Sequence, residues 1–94
     1  MTYIIKQYSY DQAKKLGVDI KPSINPNKKI DVYKNNQFLY SIGDINYNDY
    51  PTYLEMKGKG EDFANNRRRL YRLRHKRDDV PNTKGWYALK ILWD

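Results

Sequence analysis

The alternation of apolar and polar residues is clearest in the middle of the chain, where two β-rich runs flank three polar residues. The runs are Lys29–Tyr33 and Gln37–Ile42, and Lys34-Asn35-Asn36 separates them. Asparagine tolerates the positive φ angles of a tight turn, so the pattern predicts an antiparallel hairpin that ends at Gly43. Alternation places the apolar residues of each strand on one face of it. These residues are Ile30 and Val32 on the first strand, and Phe38, Tyr40 and Ile42 on the second.

The segment before the hairpin predicts a strand, a helix and a connector. Tyr3–Tyr8 alternates loosely in β-forming residues, which favours a short strand. Ser9 is a suitable cap for a helix over Tyr10–Leu16, and Gly17 is a typical helix stop. The prolines and asparagines of Lys21–Asn27 favour an irregular connector.

After the hairpin, the first predicted element is a helix with a carboxylate cap. Asp49 is well placed to accept backbone hydrogen bonds at its start, and Pro51 falls in the first turn, where proline is tolerated. The helix is expected to end at Gly58 or Gly60, because glycine favours helix termination.

Two more helices complete the prediction. One begins near Glu61-Asp62, with acids at its positive end, and ends before Pro81. Thr83 is the expected cap of a last helix over Gly85–Trp93. The predicted fold class is α+β, with a small antiparallel sheet (the N-terminal strand plus the central hairpin) packed against C-terminal helices in a single domain, residues 1–94.

The composition of the chain indicates whether it is folded and where in the cell it is expected to work. The chain has 18 basic and 11 acidic residues, a formal charge of +7, and no cysteine. Ten tyrosines, two tryptophans and two phenylalanines favour a folded chain over a disordered one. The start lacks the apolar run of a signal peptide, and no stretch approaches membrane-spanning length. We therefore expect an intracellular protein with no disulfides and no membrane partner.

The basic residues are unevenly distributed. All six arginines fall within residues 67–77, together with His75 and Lys76, and no acidic residue interrupts the run. Arginine presents a planar fork of donors that suits phosphate and carboxylate groups, so this clustering indicates a role that depends on geometry. The arginines are Arg67, Arg68, Arg69, Arg72, Arg74 and Arg77.

A helical wheel divides this segment into two sides. The predicted buried stripe is formed by Phe63, Ala64, Leu70, Tyr71 and Leu73, and Arg67 and Arg74 project on the same side. These two arginines either pair with internal carboxylates, such as Asp44, Asp49 or Glu55, or line a cleft that accepts phosphate. The residues predicted to point outward are Arg68, Arg69, Arg72, His75 and Lys76.

The outward set is either a solvated face or a polyanion-binding face. Like charges at helical spacing cost about 0.2–0.5 kcal/mol per pair, which a domain tolerates. A polyanion would turn this repulsion into affinity through counterion release. Lys57 and Lys59 are expected to assist, and Tyr50 and Tyr53 are either base-stacking platforms or core residues.

The C-terminal segment carries more aromatic residues than one face of a short helix needs. Trp86, Tyr87 and Trp93 are therefore candidate residues of a protein interface, for example with a second copy of the chain. No enzyme is predicted, because His75 is the only histidine and has no serine or cysteine nucleophile arranged with it locally. No metal site and no cofactor are expected.

Several motifs resemble those of a group of small basic proteins encoded by large DNA viruses and some phages. They are Tyr8-Ser9-Tyr10, Ile42-Gly43-Asp44, Tyr50-Pro51-Thr52-Tyr53, Arg67-Arg68-Arg69-Leu70-Tyr71 and Gly85-Trp86-Tyr87-Ala88. The resemblance implies a viral setting, in the infected cell or packaged in the virion, and no catalytic residue. Two hypotheses follow: a module that binds DNA or RNA through the arginine-rich helix, and a virion structural protein that uses the basic helix and the Trp-rich C-terminus for protein contacts, including contacts with a coat protein.

Overall fold

The computed structural model describes residues 3–56, 58 and 60–94, and over these the chain forms a three-stranded antiparallel sheet and four α-helices. The predicted α+β class is confirmed. The chain divides into two compact units, residues 1–47 and residues 48–94. The first contains α1 (Gln7–Leu16), β1 (Asp19–Pro22), β2 (Lys28–Lys34) and β3 (Gln37–Asp44). The second contains α2 (Tyr50–Leu54), α3 (Gly60–Arg74), a 3₁₀ turn (Lys76–Asp78) and α4 (Lys84–Leu92).

The predicted hairpin is confirmed as β2 and β3. Asn35 and Asn36 form its two-residue turn with φ angles of 52° and 65°, the left-handed conformation that the sequence indicated. Ile30 pairs with Ile42 across the strands, and both side chains are almost fully buried. The hairpin continues slightly further than expected, to Asp44.

The predicted position of Phe38 is wrong. An irregularity in the ladder makes Val32 pair with Tyr40 but Tyr33 pair with Phe38, so β3 contains one extra residue at this point. A bulge of this kind moves Phe38 to the face opposite that of Tyr40. There its ring meets the Tyr33 ring edge-on, with centroids 5.7 Å apart, and stays 51% exposed.

The predicted N-terminal strand is also wrong. Helix α1 begins at Gln7, so Ser9 lies inside the first turn, fully buried, instead of capping it. The third strand is β1, at the start of the segment expected to be a connector, and Ile20 pairs with Val32. Gly17 ends α1 with a φ of 73°, as predicted.

A buried carboxylate lies on the central strand. Asp31 is 1% exposed and accepts hydrogen bonds from the hydroxyls of Ser23 and Ser41, each 2.6 Å from Oδ1, and from the amide of Ile24 at 3.2 Å from Oδ2. Burial raises the pKa of Asp31, but the three hydrogen bonds outweigh that effect and hold the pKa below its ordinary value.

The helix caps of the second unit match the sequence. Asp49 accepts a hydrogen bond from the amide of Thr52 at 3.0 Å, and Thr83 accepts one from the amide of Trp86 at 3.3 Å. Helix α2 ends at Leu54, earlier than the predicted glycines. Within the described part of the chain, no helix has both the length and the apolar character needed to cross a bilayer.

Candidate nucleic-acid interface

Helix α3 carries five of the six arginines and has two distinct sides, and Arg77 lies in the 3₁₀ turn that follows it. Ala64 is fully buried, whereas Phe63, Arg67, Leu70 and Tyr71 are half-buried on the same side. The other side is exposed to solvent. Its exposed members are Asn66, Arg69, Arg72 and Leu73 along the helix, with Arg74 at its last residue.

The packed side of α3 ends in a stack of three rings. The Tyr71 ring lies between Trp93 and His75, with centroid distances of 4.2 Å and 4.0 Å and interplanar angles of 5° and 19°. Nδ1 of His75 also lies 2.9 Å from a carboxylate oxygen of Asp78. The prediction that His75 points away from the packed side is therefore wrong, because stacking on Tyr71 one turn earlier holds the imidazole half-buried.

Tyr53 extends this aromatic cluster to α2. Its ring lies edge-on to Phe63 at 5.5 Å and is tilted against Trp93 at 6.1 Å.

Burial raises the pKa of the Tyr71 phenol, and the negative charge of Asp78 raises it further, with Arg74 acting in the opposite direction. The tyrosines of this region thus form part of the packing of the second unit.

Two consecutive arginines are held over tyrosine rings of α2. The guanidinium carbon of Arg68 lies 4.4 Å from the Tyr50 ring centroid, and that of Arg67 lies 5.6 Å from the Tyr53 centroid. Both arginines are half-buried. The Tyr50 hydroxyl also donates to Asn65 at 2.8 Å. Cation–π contacts therefore join α2 to α3 at two adjacent positions.

These contacts differ from the predicted division of the arginines into two on the packed side of the helix and an outward-facing set. Arg67 lies on the packed side as predicted, but its guanidinium contacts a ring rather than one of the proposed carboxylates. Arg74 was placed beside it and is instead exposed, at the last residue of α3. Arg68 was expected to face solvent and is half-buried over Tyr50. The contact surface of α2 therefore covers Arg67 and Arg68, which are adjacent in sequence.

Replacing Arg68 with alanine should lower the free energy of unfolding by about 1 kcal/mol, because the cation–π contact and the packing of the aliphatic stem on Tyr50 are both lost. The same change at Arg74 should alter stability by less than about 0.5 kcal/mol, since its side chain is exposed. Urea denaturation of the two variants measures the difference. A larger loss for Arg74→Ala would contradict the assigned contacts.

Within residues 69–77 the arginine and lysine side chains are exposed. Arg69, Arg72, Arg74, Lys76 and Arg77 all belong to this class. Among residues 3–56, 58 and 60–94, Arg72 is the one arginine in an ion pair, with Nη2 at 3.8 Å from Asp94. At such a distance and exposure the pair contributes little. We call these five residues the basic surface.

Leu73 is the residue that the wheel misplaced most clearly. It was predicted to be part of the buried stripe and is 66% exposed. Helix α3 packs through Ala64 and Tyr71, which turns Leu73 to the solvent among the cations. Asn66, which the sequence interpretation did not single out, is exposed on the same side and accepts a hydrogen bond of 3.0 Å from Nη2 of Arg69.

The other predicted site residues are placed differently. Lys57 and Lys59 lie outside the described residues. Tyr50 is 7% exposed and covered by Arg68, so its ring offers no open platform to a base. Of the proposed interface residues, Tyr87 and Trp93 are buried at 3% and 8% exposure, which leaves Trp86 as the half-exposed one.

No cluster of histidine, cysteine and carboxylate side chains suitable for a metal ion occurs among the described residues. Comparison of the chain with protein-family models, with curated proteins and with solved structures gives no significant match.

Proposed function

We propose that the protein is a non-enzymatic basic module that binds nucleic acid or another polyanion through the basic surface. The observation that supports this proposal is the exposure of five cationic side chains, three along α3 and two in the 3₁₀ turn that follows it, with one of the five in an ion pair with a carboxylate. In the viral setting that the resemblance implies, the genome or its transcripts would be the polyanion.

The packing of the second unit makes this surface suitable for binding. Arg67, Arg68 and Tyr71 hold the opposite side of α3 against aromatic rings. The three arginines of the basic surface that lie on α3 therefore project from a helix of fixed orientation. Less backbone entropy is lost on binding when the donors are already held on a rigid element. Repulsion among the exposed cations falls when phosphates neutralise them, and released counterions add to the affinity.

Binding of a labelled DNA duplex should weaken steeply as salt is raised. If four to five cations each neutralise a phosphate, the logarithm of the association constant should fall with the logarithm of salt concentration with a slope of about −3.6 to −4.5. Replacing Arg69, Arg72 and Arg74 with glutamine should make that slope about 2.7 less negative. Fluorescence anisotropy across a sodium chloride series measures both values.

The matched control replaces three exposed lysines of the first unit, Lys14, Lys15 and Lys34, with glutamine. Both triple variants lower the net charge by the same amount, so a non-specific charge effect would change both slopes equally. Equal slopes would count against the basic surface as the binding site. Absence of binding to DNA, RNA and polyphosphate at low salt would refute the function itself.

A further inference from the structure

Three exposed side chains of different chemistry share one strip of α3. Asn66, Arg69 and Leu73 follow one another at spacings of three and four residues, which places them on one side of a helix. The structure leaves all three exposed, with Leu73 at 66%. We call this set the exposed strip.

The three side chains of the exposed strip are of the types that recognise base edges in DNA. Asparagine pairs with the donor and acceptor of adenine, arginine with the two acceptors of guanine, and an apolar side chain with the methyl group of thymine. A site for phosphate alone would not need an amide, and it would not need a leucine exposed among cations. The hydrogen bond from Arg69 to Asn66 restrains both side chains before any ligand binds.

Leu73, the apolar residue of the exposed strip, lies between two arginines in the sequence. Arg72 and Arg74 flank it in sequence, so they project about 100° to either side of it. A helix with its side chains is about 10–12 Å wide, close to the width of the major groove of B-form DNA, about 12 Å. With Leu73 directed at the bases, these arginines would lie toward the phosphates on the two walls of the groove.

The acidic start of α3 limits the contact to the part of the helix from Asn66 onward. Glu61 and Asp62 are exposed in the first turn, and Asp62 lies one turn before Asn66. Their carboxylates would repel phosphates, whereas the cations that follow would attract them. The charge distribution therefore favours insertion of the end of α3 that carries Arg69, Leu73 and Arg74.

We propose that α3 inserts into the major groove of duplex DNA and reads base edges through Asn66, Arg69 and Leu73. This inference rests on the proposed function and specifies its ligand. Duplex RNA is excluded as an equivalent ligand, because the major groove of an A-form helix is deep and narrow and does not admit an α-helix. The exposed strip confers sequence preference, and the flanking arginines supply the salt-dependent affinity.

The test begins with selection from a pool of DNA duplexes with a randomised core. The wild-type protein is expected to enrich a subset of sequences. It should bind an enriched duplex on the order of tenfold more tightly than an RNA duplex of the same sequence. Leu73→Ala and Asn66→Ala should each reduce the preference for the enriched duplex over the unselected pool by about fivefold or more, with little change in the salt slope.

Two controls separate base reading from other effects. Val80→Ala removes an apolar side chain that is 53% exposed but lies outside α3, and it should leave the preference unchanged. Arg74→Gln should make the salt slope about 0.9 less negative and leave the preference intact. Circular dichroism checks that each variant keeps its helices.

The outcomes distinguish this inference from the proposed function. Salt-dependent binding without enrichment, equal affinity for duplex RNA, or an enrichment that Leu73→Ala leaves intact would overturn groove reading while the polyanion function stands. Tighter binding to an acidic protein than to any duplex would also overturn it. Absence of salt-dependent binding to every polyanion would overturn both.

Discussion

Replacing Trp93 with alanine should lower the free energy of unfolding by about 3–5 kcal/mol. This is the largest loss that we expect from a single substitution in the second unit. The Trp93 ring is 8% exposed, lies parallel to Tyr71 at 4.2 Å and contacts Tyr53 at 6.1 Å. Its removal leaves a cavity and breaks the stack that orients α3. Urea denaturation followed by circular dichroism measures the loss.

Trp86→Ala is the matched control, because it removes the same side chain from a half-exposed position in α4, the helix whose C-cap is Trp93. We expect a loss of about 1–2 kcal/mol there, since less apolar surface leaves the interior. If the two variants lose equal stability, the assignment of Trp93 to the packing of the second unit is wrong. If Trp93→Ala is fully stable, the ring is available for the protein interface that the sequence predicted.

Replacing Asp31 with alanine should cost about 2–4 kcal/mol, because two hydroxyls and one amide lose their acceptor in a largely buried site. The donors are Ser23, Ser41 and Ile24, and the carboxylate that they share is 1% exposed. Asp19→Ala removes an exposed carboxylate from β1 and should change stability by less than about 0.5 kcal/mol. Similar losses for both variants would contradict the importance of the buried hydrogen bonds.

Asp31 also predicts a pH dependence. Its pKa is lowered in the folded state, so its stabilising contribution is complete above the pKa of the unfolded chain, about 3.9, and is lost as pH falls through the lower folded value. Wild-type stability should therefore fall more than that of Asp31→Ala between about pH 5 and the folded pKa. Urea midpoints at several acidic pH values measure this difference, and parallel profiles would refute the linkage.

The burial of Trp93 and Tyr87 also bears on the two functional hypotheses. A virion structural role was predicted partly from surplus aromatic residues at the C-terminus, and two of the three are already buried within the described chain. From Asn66 onward, by contrast, α3 exposes arginines, one asparagine amide and one leucine to the solvent. This distribution favours a polyanion as the partner.

The elements that the sequence predicted correctly are those with local causes. The Asn35-Asn36 turn, the Asp49 and Thr83 caps and the Gly17 stop each depend on residues within one turn of one another. Short-range sterics and side-chain hydrogen bonds decide such features, so the sequence shows them directly. Position 38 is different, because a bulge depends on how two strands pair and leaves no local signal there.

By itself, the sequence determined the α+β class, the hairpin and the concentration of arginine on one helix. Only the tertiary structure decided which strand completes the sheet and that Leu73, at one edge of the predicted stripe of α3, lies outside the packed side. Ile20 becomes part of a strand because Val32 lies beside it, and Leu73 faces solvent because rings of α2 and the C-terminus cover the opposite side. These features depend on packing between residues that are distant in sequence, and that packing determines which side chains remain exposed to a ligand.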